Sequence, residues 1–229
     1  MKKKKLLIRI LAVISGISGV VILGAVLWPM ISYDISSSKF TSYLSPVPQD
    51  NTPVGQPSDF TKASNWFTGG VKEEEFKVSN VSFYNISIPS LKIDQATVAI
   101  GGEDLANSLI QYPGTALPGK SGNAVIFGHS ILPQFFNPKD YLSIFSTLPT
   151  IKIGDKIVVN YDGVTFRYQV ENKVEVTPSD IQVLEQDVSD SFLTLVTCVP
   201  PGHPLKPKRL IVRARLIPFG KETSDATGY

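Results

Sequence analysis

The sequence predicts a mainly β domain carried behind one membrane-crossing helix. Three observations predict it. An uncharged apolar run from Ile10 to Ile31 follows a basic tail. From Val81 onward, short apolar stretches are punctuated by Gly, Pro and an Asp-Gly pair. These stretches show no strand-helix-strand rhythm and contain only two short pieces with helical spacing, which together indicate a sandwich or barrel of roughly 140 residues.

The elements follow in chain order. Residues 1–9 are basic through Lys2, Lys3, Lys4, Lys5 and Arg9. The 22 residues from Ile10 to Ile31 make ~33 Å of helix at ~1.5 Å per residue, enough to cross a bilayer core. Trp28 and Tyr33 stand at its far end, where interfacial aromatics belong. Positive charge before the run places residues 1–33 as a cytoplasmic tail and single-pass cell-membrane anchor, with the remainder outside. The run is long for a cleaved signal peptide, and no A-x-A-like site follows it.

Residues 34–80 have the composition of a linker or stalk, rich in Ser, Thr, Asn and Pro (Pro46, Pro48, Pro53, Pro57). Glu73–Glu75 read as solvated surface. Val81–Ser90 alternates and then breaks at a Pro, as a strand does. Thr97–Ile100 is a second strand, and Glu103–Ile110 has helical spacing. Asn123–Ser130 is an apolar strand ending in Gly128-His129. Asp140–Thr147 is a short helix and Gly154–Tyr161 a strand. Asp162-Gly163 marks a type I′ hairpin turn, and Val164–Val176 returns from it. Thr177–Ser191 is a polar connection, and residues 220–229 form a frayed tail, predicted to be disordered.

Charge narrows the function. The net charge is +2, but the first nine residues carry +5, so the rest of the chain sums to −3. A nucleic-acid binder needs a basic face, and the bulk of this chain has none. The single cysteine excludes an internal disulfide and a multi-cysteine zinc site.

That cysteine, Cys198, closes an apolar strand, Phe192–Cys198. A second strand follows, in which Leu210, Val212, Ala214 and Leu216 share one face and Arg209, Ile211, Arg213 and Arg215 the other. Paired as a hairpin, the two strands set Arg209 opposite Cys198 and Arg213 about 13 Å further along. A guanidinium beside a lone thiol lowers its pKa or holds the oxyanion of an acyl transfer. Thr197, one residue away, points to the other face.

The run TLVTC with an Arg opening the next strand resembles the sortases, cysteine transpeptidases of bacterial cell surfaces. Ile88-Pro89-Ser90-Leu91-Lys92-Ile93 resembles the opening strand of that domain. Pro113-Gly114-Thr115, Pro118-Gly119 and Gly122-Asn123 before Gly128-His129 resemble the segment leading to the family's catalytic His, and Phe145–Val158 resembles the one after it. The resemblance implies a closed eight-stranded β-barrel over residues 81–219, with Cys198 as nucleophile, His129 as proton donor and acceptor, and Arg209 as oxyanion or carbonyl donor. It implies cleavage of a Leu-Pro-x-Thr-Gly-like sorting signal on surface proteins and transfer of the acyl group to a primary amine, from a cell-wall precursor or a pilin Lys. Val183 and Leu184 would line an apolar pocket for the signal's Leu. Some relatives bind calcium near this loop; Glu171, Glu175, Glu185 and Asp187 read here as solvated surface, and no metal or cofactor is expected. His203, flanked by Gly202 and Pro204, reads as a loop residue.

Two further expectations bear on class. Pilus-building sortases carry a lid with an Asp-Pro-aromatic motif. Phe60, Trp66 and Phe67 could dock on a groove as such a lid does, but Ser58-Asp59-Phe60 lacks the Pro, so the segment is expected to be stalk. No second apolar span follows Leu216, which weighs against the pilus-building class. The rival functions are a pilin-polymerising sortase, a papain-like cysteine peptidase, which would place Cys before His at a helix start, and a non-enzymatic surface β-domain with Cys198 in its core.

Overall fold

The computed structural model describes residues 2–37, 59–68 and 82–218. The remainder of the stalk assignment and the 220–229 tail lie outside these residues. The chain divides into two units, the N-terminal helix and the domain. The helix, α1 (Lys2–Ser37), overruns the predicted span at both ends. From Arg9 to Ser37 it is apolar enough to cross a membrane. Ile10, Val13, Ile17, Val20 and Leu23 are all more than half exposed. Apolar exposure around the whole circumference is what lipid, rather than water, accommodates.

The domain is a closed eight-stranded barrel, as predicted. Its strands are β1 (Ser82–Ile88), β2 (Ile93–Ile100), β3 (Leu109–Gln111), β4 (Gly122–Phe127), β5 (Lys156–Tyr161), β6 (Val164–Val176), β7 (Ser191–Val199) and β8 (Lys208–Leu216). They run in the order β1-β2-β3-β4-β7-β8-β6-β5 around the wall. β2 with β3 and β4 with β7 are the parallel pairs; the others are antiparallel. Asp162 and Gly163 take φ of 50° and 73°, the left-handed pair that a type I′ turn between β5 and β6 requires. Inside, Ile86, Ile88, Val98, Ile157, Leu195, Leu210 and Val212 are fully buried. Tyr84 crosses this interior and donates its hydroxyl to Gln111 Oε1 at 2.8 Å.

Two predicted helices do not form. In Glu103–Ile110, Asp104 Oδ1 accepts the Ala106 N–H at 2.9 Å and Asp104 Oδ2 accepts the Asn107 side-chain amide. This Asx turn competes with the helical ladder, and the last residues enter β3. In Asp140–Thr147 the bonds Ser143 N to Asp140 O, Ser146 N to Ser143 O and Leu148 N to Phe145 O all span three residues. The segment is a chain of turns ending in a 3₁₀ turn, Leu148–Thr150, rather than an α-helix.

Candidate active site

β7 and β8 pair in the predicted register. Cys198 lies opposite Arg209, and Thr194 opposite Arg213. Residues directly opposite share a face, so Cys198 and Arg209 stand together on the outer wall. The strands reach Val199 and Lys208, and a cis peptide bond joins Val199 to Pro200 in the loop beyond. Thr197 points inward, buried, and donates its hydroxyl to Gly128 O at 2.8 Å.

His129 arrives on the neighbouring strand. β4 runs parallel to β7, so the ends of both strands emerge at one rim. Two bonds hold the residues flanking His129 to β7: Gly128 N–H donates to Val196 O at 3.1 Å, and Ser130 Oγ donates to Cys198 O at 2.6 Å. Gly128 is required by close approach, since a Cβ there would lie 2.4 Å from Phe145. The structure therefore brings Cys198, His129 and Arg209 to one place.

That place is covered. Residues 59–68, which the sequence assigns to the stalk, pack across it instead, and the correction has a clear physical basis. The backbone is pinned by Ala63 N to Glu103 O at 3.3 Å, Leu105 N to Thr61 O at 3.0 Å and Thr68 N to Pro178 O at 2.9 Å. Ser64 Oγ donates to Glu103 Oε1. Trp66 is fully buried, stacked on Phe127 with ring centroids 5.2 Å apart, and lies 5.9 Å from the His129 ring. Its carbonyl accepts Arg209 Nε at 2.9 Å. Phe60 lies under both Lys206 Nζ and the Arg209 guanidinium, at 5.0 and 5.4 Å. The strap thus occupies Arg209 with a main-chain carbonyl and packs three aromatic rings, Phe60, Trp66 and Phe67, onto the groove.

Covering the site sets its charge state. Burial pushes the Cys198 thiol up; Arg209 and Lys206 oppose the shift but do not overcome it. Burial, then the Lys206 charge, lowers His129 to about 4. His129 Nε2 has no hydrogen-bond partner among the described residues. With the strap docked, thiol and imidazole are both neutral at pH 7. A thiolate–imidazolium pair needs water or substrate in place of Trp66.

The sortase-domain family model matches residues 86–217. The chain belongs to the sortase family. Sortase A of Streptococcus agalactiae serotype III (strain NEM316) is 25% identical over 170 residues, covering 73% of this chain and 66% of that protein. The Clostridium perfringens sortase D5 transpeptidase superposes with a TM-score of 0.52 at 25% identity, covering 64% of this chain and 93% of that one. A lid mutant of Streptococcus agalactiae sortase C1 superposes with a TM-score of 0.51 at 25% identity, covering 61% and 71%.

Within this sortase the remaining candidates separate clearly. His203 is a loop residue whose Nδ1 accepts the Leu205 N–H at 3.1 Å. Arg213 pairs with Glu171 and Asp187, and Arg215 with Glu171 and Asp190. Glu175 pairs with Lys208 at 3.1 Å. Among the described residues, no three His, Cys, Asp or Glu side chains gather in a way that could hold a metal. Val183 and Leu184 pack at the edge of the apolar cluster containing Trp66, Val196 and Cys198. Trp66 is one of three aromatics, with Phe60 and Phe67, that the sequence offers for docking on a groove. The stalk is the wrong choice between the two readings, and the docked rings are the reason. Sequence reasoning missed Lys206. It carried no signal, because its place beside Phe60 depends on how the loop after β7 folds.

Proposed function

We propose that this sortase is a cysteine transpeptidase that cleaves a Leu-Pro-x-Thr-Gly-like signal and joins the acyl fragment to a primary amine, attaching proteins at the cell surface. The pairing of Cys198 with Arg209, beside His129 on the adjoining parallel strand, carries this reading. The apolar helix α1 fits an anchor that keeps the domain at the membrane, with the domain outside.

The chemistry begins when the strap leaves. Cys198 gives its proton to His129, and Sγ adds to the Thr carbonyl carbon. Arg209, released from the Trp66 carbonyl, donates to the oxygen as it becomes an oxyanion. The C–N bond breaks, the departing amine takes the proton from His129, and a thioester remains. An incoming primary amine attacks the thioester carbon and passes a proton to His129, Sγ leaves as thiolate, and His129 returns the proton to it. The acceptor is an amine of a cell-wall precursor or a pilin Lys. The docked strap favours the second. The likeness to a pilus-related sortase C of group B Streptococcus adds to that preference.

Mass spectrometry of the full chain incubated with Leu-Pro-x-Thr-Gly peptides tests the reading. A thioester on Cys198 that disappears in Cys198→Ala and transfers to added amines is the expected result. No adduct, even after Trp66→Ala frees the site, overturns it.

A further inference from the structure

The connection from β6 to β7, residues 177–190, walls one side of the groove. The groove floor descends from Cys198 in rows set by strand pairing. Val196, Ile211 and Val174 form the next row on the same face, and Thr194, Arg213 and Asn172 the one after. At strand rise these rows lie about 7 and 13 Å from Cys198. A pocket opens between them, with Gln182 and Val183 as its side wall. An extended peptide with its reacting carbonyl at Cys198 carries a side chain about 10 Å upstream, at this pocket.

The far end of that wall is tied down by one carboxamide with four bonds. Gln186 Oε1 accepts the backbone N–H of Ala116 and of Asn123, both at 3.0 Å. Gln186 Nε2 donates to Asn123 O and Leu184 O, both at 3.0 Å. Two acceptor sites and two donor protons are all that a carboxamide has, and here all four are used. The reason lies in β3, which pairs with β4 at Phe127 and Ile126, with the Tyr112 N–H just beyond it reaching Val125 O at 2.8 Å. Further back, at Asn123, no strand follows β3 along this edge, and Gln186 stands in as a peptide group would, meeting the N–H and C=O of one residue. Asn123 completes the tie. Fully buried, it donates Nδ2 to Val183 O at 3.3 Å and accepts the Thr194 hydroxyl at 2.7 Å. Gly122, at φ +122°, leaves room: a Cβ there would lie 3.1 Å from Gln186 Oε1.

We propose that Gln186 is the positioning residue of the substrate groove, holding the Gln182–Val183 wall in its binding shape before a substrate arrives. This rests on the transpeptidase reading above. The same loop also holds the strap, through Thr68 N to Pro178 O. That tie is lost when the strap leaves, so in the open enzyme the Gln186 ties remain to order the wall. Without them the peptide must order the loop as it binds, and its affinity falls.

The test uses the full chain in detergent with a quenched fluorescent Leu-Pro-Glu-Thr-Gly peptide. Gln186→Ala should raise KM about tenfold and leave kcat within about twofold, since net loss of a few hydrogen bonds acts on binding rather than on the reacting atoms. Gln186→Glu, which keeps both accepted bonds and loses both donated ones, should fall between. Amide exchange read in parallel should accelerate at residues 181–186 in Gln186→Ala and stay unchanged in β7 and β8. A fall in kcat at constant KM overturns the proposal, as does unchanged exchange at 181–186. If the wild-type chain forms no Cys198 adduct, the transpeptidase reading fails by itself. Exchange at 181–186 then decides whether Gln186 holds the wall: faster exchange keeps the proposal, unchanged exchange overturns it.

Discussion

The two ends of the β7–β8 hairpin are built from the same kinds of residue on the same face, yet they behave oppositely. At one end Arg209 is buried, with Trp66 O, Lys206 O and Lys208 O as hydrogen-bond acceptors and no carboxylate among them. At the other, Arg213 and Arg215 flank the Phe192 ring at 3.8 and 4.8 Å and pair with Glu171, Asp187 and Asp190. A guanidinium already neutralised by carboxylates in water has little left to offer a developing charge. One held dry among neutral carbonyls keeps its whole charge for whatever replaces them. The strap, together with the loop that leads into β8, makes the difference.

The largest break in this comparison comes from Arg209→Ala. Peptide turnover should fall by about a hundredfold or more, as when an oxyanion donor is removed. Alkylation of Cys198 by iodoacetamide should rise in the same variant, because the strap loses the bond that Arg209 Nε donates to Trp66 O. Arg215→Ala should leave turnover within about twofold and stability within about 1 kcal/mol. Trp66→Ala comes next. Truncating a buried Trp costs about 3–5 kcal/mol, and a tenfold change needs only about 1.4. Alkylation of Cys198 should therefore accelerate at least tenfold, measured as adduct mass against time.

The effect of pH is smaller, and its sign follows from burial. His129 is lowered by docking, so below its ordinary value of 6.5 the undocked state binds the extra proton and docking weakens as pH falls toward about 4. Cys198 is raised, so above the ordinary thiol value of 9.0 the undocked state loses its proton first and docking weakens again. Strap docking should be tightest between these limits. In a Trp28→Phe background, leaving Trp66 the only tryptophan, its fluorescence should report a bell-shaped profile. A flat profile would mean that neither group titrates on opening. The smallest effect belongs to Thr197→Val, which removes one buried bond to Gly128 O and should cost about 1 kcal/mol of stability by denaturant melt.

How much of this was legible in the sequence depended on whether the determinants were local. The hairpin register, the Asp162-Gly163 turn and the pairing of Cys198 with Arg209 follow from alternation and loop length, and both parts are in the sequence. The Glu103–Ile110 segment misled because Leu105, Leu109 and Ile110 have helical spacing while Asp104 supplies a competing turn, and Thr61, far away in sequence, takes the Leu105 N–H. The strap was only half legible for the same reason: Phe60, Trp66 and Phe67 offered rings for docking, but nothing local chose docking over a stalk. Its Ser, Asn and Thr content is that of a linker, and the groove that receives Trp66 is assembled from β4, β7 and β8. Gln186 gave no signal, because its role exists only where β3 stops short of Asn123.

Closure of the barrel has one more consequence. Every strand has neighbours on both sides, so an unfolded or extended polypeptide meeting this surface finds no edge strand to extend. Recognition by strand addition is nearly indifferent to sequence, since main chains are alike. A sheet without an edge strand gives up that generic adhesion, and leaves side chains rather than main chain to discriminate among whatever meets its surface.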